Sequence, residues 1–180
     1  MFNTLVEKIK AAREGADVQR YHTSRTIRTN TVGHHSFNML SMLRILYPGD
    51  PPIQLIWAVH EHDIHERWVG DSPAPAKWWG ILNREVEFNT DVMIIQEIFG
   101  TFHRWEKDTE ISRWLSGLDI LECICEAKDE IVMGNSSMKK LYGRAVAYAK
   151  ENAANYPKEI IDMIYAVDHD DWTPVKELGE

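Results

Sequence analysis

An all-α, single-domain fold is predicted by three features of this 180-residue sequence. Apolar residues recur at helical spacing through most of the chain, no segment alternates with the period of two that marks a half-buried strand, and no linker or repeat divides it. The composition agrees: 44% of residues are apolar and 27% charged, which is globular and not disordered. A chain of this size buries roughly 70% of its unfolded surface and needs no staples.

Leu5, Ile9 and Ala12 mark a first amphipathic helix that Gly15 is placed to stop. Residues 17–34, rich in Thr, Arg, Asn and His, read as a loop with one turn at most. From His35 the series Met39, Met42/Leu43, Leu46 is helical and ends before Pro48. Pro51-Pro52 opens a third helix, 52–67, with Leu55, Ile56, Val59, His62, Asp63 and Glu66 on one stripe. Residues 69–77 form a Pro-punctuated loop. Helices over 82–99, 109–133 (Ile111, Leu115, Leu118, Glu122, Cys125), 136–153 and 157–166 complete the pattern, and the acidic run from Asp168 reads as a frayed end. One domain spans residues 1–180, with the informative motifs in 18–130 and the C-terminal helices and acidic tail in 136–180.

The net charge of −8 argues against a chain whose whole surface seeks nucleic acid. Residues 1–44 run the other way, with seven basic side chains against three acidic ones. Such a local patch suits a small anionic ligand, or is simply a solvated face. No apolar run nears the ~20 residues of a membrane span, and the N-terminus lacks the apolar core of a signal peptide, so a cytoplasmic location is expected. The two cysteines, Cys123 and Cys125, are too few for a disulfide framework or a Cys-rich zinc site.

The chemistry lies where polar residues interrupt apolar stripes. His35 stands one turn before Met39, the stripe Leu55–Val59 runs into His62, Asp63 and Glu66, and Asp119 follows Leu115 by one turn. Ionisable groups at core-facing positions are costly unless paired or bound to a cation. Three helices feeding one polar cluster is how helical bundles build metal sites. Two imidazoles and two carboxylates suit a borderline divalent ion, which activates water and polarises a phosphoryl oxygen. The competing reading makes His62-Asp63 a helix-surface pair and His35 a hydrogen-bonded core histidine. A zincin protease is excluded, because His60-Glu61 is followed by Ile64 where its second histidine would stand. A non-enzymatic, pH-responsive binding protein built on His60, His62 and His65 remains the alternative outside catalysis.

The string His62-Asp63-Ile-His-Glu66-Arg-Trp-Val-Gly70-Asp71-Ser-Pro73-Ala-Pro75-Ala-Lys77 resembles the HD-domain phosphohydrolases, in particular their 5′-deoxynucleotidase branch. Arg20-Tyr21 and Arg28-Thr-Asn-Thr-Val-Gly-His-His35-Ser36 resemble that branch's Arg-Trp and Arg-Thr-x-x-Val-x-Glu-His-Ser, and Asp119 falls on the helix that carries its last metal ligand. The sequence departs from the pattern at His34, where the family has Glu, and at Tyr21, where the nucleotidases have Trp. The resemblance implies an HD-type helical bundle with one central divalent metal (Co, Mn, Zn, Fe or Mg) held by His35, His62, Asp63 and Asp119. It implies proton transfer and water placement by Glu66 and Asp71, and a homo-oligomer of two or more copies. Substrate contacts are expected from Arg20, Arg25, Arg28 and Lys77 at the phosphates and from Tyr21 at the sugar. Pro73–Pro75, Trp78 and Ile81 are expected to wall the base.

The implied reaction is attack of water on the α-phosphorus of a 2′-deoxynucleotide. The compact chain is similar to the phage dATP triphosphohydrolases, which release deoxyadenosine and triphosphate. The other outcome of the same chemistry is a 5′-deoxynucleotidase that releases phosphate from a monophosphate. A small-molecule deoxynucleotide is thus the expected partner, with no stable nucleic-acid or membrane partner.

Overall fold

The computed structural model describes residues 2–71, 84–100 and 109–173, and every regular element among them is a helix. In chain order these are α1 (Leu5–Ala16), α2 (Val32–Leu46), α3 (Ile53–Glu61), α4 (Glu66–Val69), α5 (Arg84–Phe99), α6 (Glu110–Val132), α7 (Lys139–Glu151) and α8 (Lys158–His169). Short 3₁₀ turns at Ser136–Met138 and Ala153–Asn155 precede and follow α7. The all-α class read from the sequence is therefore correct. No helix among the described residues is long and apolar enough to cross a membrane.

Side-chain caps explain where the helices begin. At α1 the Thr4 hydroxyl accepts the Glu7 N–H (3.1 Å) and the Glu7 carboxylate accepts the Thr4 N–H (3.0 Å), a reciprocal pair that satisfies two otherwise orphaned donors. Thr31 caps α2 by accepting the His34 N–H at 3.3 Å, so that helix starts at Val32 and not at His35 as the periodicity suggested. His35 thereby falls in a rigid first turn. Thr109 does the same for α6. Pro52 and Pro157 stand at the N-caps of α3 and α8, where a missing N–H costs nothing.

The third helix departs from the sequence reading in an instructive way. It does not run to residue 67 but stops at Glu61, and α4 starts afresh at Glu66. Between them the backbone tightens to i→i+3 bonds, Ile64 N–H to Glu61 O (3.1 Å) and Glu66 N–H to Asp63 O (3.0 Å). Two imidazoles account for the change. The Nδ1 of His62 meets the Val59 carbonyl at 3.0 Å and that of His65 meets the His62 carbonyl at 3.1 Å. As Nδ1–H donors they occupy acceptors that a continuous α-helix would give to residues 63 and 66.

Two apolar clusters hold the elements together. The larger joins Met39 and Leu43 of α2, Leu55 and Val59 of α3, Trp114, Leu118, Leu121 and Ile124 of α6, and α7 and α8 through Val146, Ile160 and Ile164. The smaller joins Ala11 of α1 and Ile64 of the tight turn to Ile94, Ile95 and Ile98 of α5. The first helix packs on a face other than the one its stripe suggested. Leu5 and Ile9 are exposed (77% and 61%), while Ala11 and Gly15 are buried. Gly15 does not stop α1 but lies within it, at a contact where an added Cβ would sit 2.7 Å from Ile64 Cδ1 and 2.9 Å from the Ile64 carbonyl oxygen. Small residues are buried here because the helix backbone itself approaches the turn. The acidic end is also better tied than expected. Asp168 lies within α8 and accepts hydrogen bonds from Lys150 Nζ (2.7 Å) and Tyr142 OH (3.0 Å).

Candidate metal centre

The first turn of α2, the tight turn after α3 and the middle of α6 meet at one buried point. His35 is fully buried, and its Nε2 lies 3.7 Å from Asp63 Oδ2 and 3.3 Å from Asp119 Oδ1. His62 Nε2 lies 3.2 Å from the same Asp63 oxygen. One ligand atom each from His35, His62 and Asp63 fall within 4.8 Å of one another, so these three residues form a group that can hold a metal ion. Asp119 approaches on the His35 side, but its side chain is half-exposed at 52% and it stands at the rim of the group. The fit to a cation shows in the polar accounting. Both Nε2 atoms are buried and without a hydrogen-bond partner. Buried polar atoms are nearly always satisfied, so two orphans aimed at one carboxylate call for a further occupant. Two imidazole nitrogens and a carboxylate oxygen are the donor set of a borderline divalent ion.

Arg20 balances charge in the cluster. The Arg20 guanidinium donates to Asp63 Oδ2 at 2.5 Å and stands 3.7 Å from Asp119 Oδ1. Burial alone would raise the Asp63 carboxyl, but His62, Arg20 and His35 outweigh it and hold it well below the usual carboxylate range. Burial and Arg20 both push His35 down. The neighbouring carboxylates of Asp119 and Glu122 prevail and lift it to about 9. A cation at Nε2 would take the place a proton otherwise holds there.

Glu122 is a member of this cluster that sequence reasoning did not place there. Its carboxylate meets His35 Nδ1 at 2.7 Å, with both side chains buried to 1% exposure or less. Its second oxygen accepts from Asn38 Nδ2 at 3.3 Å. The signal was present: a carboxylate in the apolar stripe of α6, which was read for Asp119 and passed over at Glu122.

Other expected site residues fall as follows. Glu66 is buried at the start of α4 (3% exposed). Asp71 is turned to the loop before α2, accepting the Tyr21 N–H at 3.0 Å with the His22 ring 3.4 Å away. Those bonds make it a support for the Arg20-Tyr21 segment. Tyr21 adopts φ 58°, a left-handed conformation uncommon outside glycine, and its buried hydroxyl faces the Cys123 thiol. Arg28 is not a free phosphate anchor: its guanidinium is held by Glu126 (2.9 Å) and Asp129 (2.8 Å) of α6. Arg25 is exposed, and its carbonyl accepts from Asn135 Nδ2 at 2.7 Å. Pro73, Pro75, Lys77, Trp78 and Ile81 lie outside the described residues. The three histidines of the binding-protein alternative diverge. His62 faces His35, His60 packs against Trp57 and Phe99, and His65 meets Asp91 at 3.0 Å.

The helical class defined by this arrangement has solved counterparts. The PH0347 protein of Pyrococcus horikoshii OT3 superimposes with a TM-score of 0.68 at 15% identity, over 90% of this chain and 97% of that one. A conserved hypothetical protein from Pyrococcus furiosus gives the same TM-score and identity, over 91% and 98%. At that identity the likeness establishes the shared fold alone. No protein-family model and no curated relative matches the sequence.

Proposed function

We propose that the protein is a metal-dependent phosphohydrolase of 2′-deoxynucleotides, of the HD-domain class, hydrolysing at the α-phosphorus, with dATP to deoxyadenosine and triphosphate as the first reaction to test. The observation that supports this most is the pair of unpartnered, buried Nε2 atoms of His35 and His62 converging on Asp63. Asp119 is the fourth ligand of the proposal, from its place 3.3 Å from His35 Nε2. When bound, a divalent ion supplies Lewis-acid charge for a phosphoryl oxygen and lowers the pKa of water.

The chain's own residues supply binding and proton handling. Arg20 keeps its buried Nε–H without a hydrogen-bond partner beside the acidic pair, a donor well placed for a phosphoryl oxygen. Glu66, buried next to the tight turn, acts as general base and then general acid: it takes the proton from the attacking water and returns it to the departing 5′-oxygen. Asp71 holds the Tyr21 backbone and with it the direction of Arg20. The Tyr21 ring, under the Arg20 guanidinium at 5.8 Å, is the candidate wall for the sugar.

A substrate panel tests the reading: ribo- and deoxynucleotides, each as mono- and triphosphate, with Mn, Co, Mg or Zn and the products identified. Triphosphate from dATP supports the first reaction, and phosphate from a deoxynucleoside monophosphate moves the protein to the 5′-deoxynucleotidases. No turnover of any member with any metal refutes the proposal.

A further inference from the structure

We infer that Glu122 is a positioning residue for the proposed metal: its carboxylate holds the Nδ1–H of His35 and so turns the Nε2 lone pair toward His62 and Asp63. The inference rests on the metal reading above and adds a residue to it.

A neutral imidazole has one donor nitrogen and one acceptor nitrogen, and the partner of one decides the role of the other. An ionised carboxylate only accepts. With Glu122 Oε2 at 2.7 Å from Nδ1, that nitrogen keeps its hydrogen, and Nε2 is the nitrogen left to bind a cation. No water competes, because His35 and Glu122 are both sealed from solvent. Asn38, donating to the other Glu122 oxygen at 3.3 Å, stops the carboxylate from rotating.

The second imidazole uses the same device with a neutral acceptor. His62 Nδ1 is committed to the Val59 carbonyl at 3.0 Å, and its Nε2 is likewise presented. The two rings reach the site in one tautomer by different means, and only His35 has a negative charge behind it. Ligating histidines are commonly backed in this way, and loss of the backing group costs roughly 10- to 100-fold in metal affinity. The other buried glutamates on this face of α6 have different work. Glu126 pairs with Arg28, and Glu130 accepts the N–H groups of Ile27 (2.7 Å) and Arg28 (2.9 Å).

The test is zinc or cobalt affinity of the full chain, measured by competition with a fluorescent chelator, for wild type, Glu122→Gln and Glu126→Gln. Glu122→Gln keeps shape and burial and removes the charge, and it is expected to weaken binding by roughly 10-fold or more. Glu126→Gln, which leaves His35 untouched, is expected to stay within about twofold. A second arm needs no variant. Nitrogen-edited NMR of the histidine rings in zinc-loaded wild type should show His35 with a protonated Nδ1 and a ligated Nε2, a signature that a purely structural Glu122 would not impose. Equal affinity of Glu122→Gln and wild type, equal losses in both variants, or ligation through Nδ1 overturns the inference while the metal reading stands. Wild type that binds no ion refutes the metal reading and the inference with it.

Discussion

Replacing Gly15 by alanine is expected to destabilise the protein, although the same change at Gly143 is expected to stabilise it. Both glycines lie inside helices. In a helix interior, alanine is better than glycine by about 1 kcal/mol. At Gly143 an added Cβ meets nothing within 4 Å, so most of that gain should appear. At Gly15 the Cβ would stand 2.7 Å from Ile64 Cδ1, 2.9 Å from Ile64 Cγ1 and 2.9 Å from the Ile64 carbonyl oxygen. The side-chain atoms can turn aside, but the carbonyl belongs to the tight turn and can move only with it. Overpacking of this kind costs about 1–3 kcal/mol. Three atoms under 3.0 Å, one of them backbone, put Gly15 at the upper end, about 2–3 kcal/mol, so the net expectation is a loss of about 1–2 kcal/mol for Gly15→Ala and a gain of about 0.5–1 kcal/mol for Gly143→Ala. For a chain of this length those values correspond to shifts of about 2–8 °C down and about 1–4 °C up in Tm. Thermal unfolding followed by circular dichroism reads both. Because Ile64 follows Asp63 directly, Gly15→Ala should also weaken metal binding, whereas Gly143→Ala should not. A Gly15→Ala protein as stable as wild type would refute the contact between α1 and the turn.

Four further outcomes follow from the geometry. Metal at about 100 times its Kd should stabilise the fold by about 2.7 kcal/mol, raising Tm by about 5–10 °C, with reversal by a chelator and no shift in His62→Ala. Asp63→Asn should destabilise the metal-free protein by about 3 kcal/mol in denaturant titrations, because it strips the buried Arg20 of its closest counter-charge. Cys123 and Cys125, whose thiols burial pushes up to about 12, should resist iodoacetamide at pH 8 and react fully only after unfolding; rapid labelling of the native protein would contradict their placement. Asp168 is held below its ordinary range, first by the Lys150 hydrogen bond and also by Tyr142. A depressed carboxyl contributes stability above its unfolded pKa and loses it as pH falls through the folded value. Asp168→Asn should therefore be less stable than wild type at pH 7, and the difference should vanish near pH 2 in denaturant titrations.

The helices were legible wherever an apolar face had to be buried, as along Met39–Leu43 and Leu115–Leu118, because the period of 3.6 is set by the backbone and read by the core. It misled at α1, where Leu5 and Ile9 form the regular stripe but burial goes to Ala11 and Gly15. Closeness of backbones selects small residues, and a hydrophobicity pattern is blind to that. The break at His62 was hidden because a tight turn keeps apolar and ligand residues on roughly the same face, and it depends on imidazoles bonding local carbonyls. At the site, His35, His62, Asp63 and Asp119 were legible as polar interruptions of apolar stripes. Glu122 had the same mark, but a single carboxylate cannot be assigned to a ligand or to the group behind a ligand without knowing which nitrogen it faces. The commitment of Arg28 to Glu126 and Asp129 was beyond reach, since those partners lie about a hundred positions away.

The segment between α1 and α2 closes on itself at its neck. Gln19 and Thr31 form an antiparallel bridge, Arg20 N–H bonds Asn30 O at 2.9 Å, and Val32 N–H bonds Val18 O at 2.9 Å. Within the segment, Tyr21, Arg25, Ile27 and Arg28 are tied to Asp71, Asn135 and Glu130, so the stretch whose length is uncoupled from the two helices is residues 22–24. Doubling a loop adds only about 0.6 kcal/mol in closure entropy. Insertions or exchanges here would remodel the approach to Arg20 while leaving the helical scaffold undisturbed, which makes this stretch the natural place to vary the surroundings of the candidate site on the same helical framework.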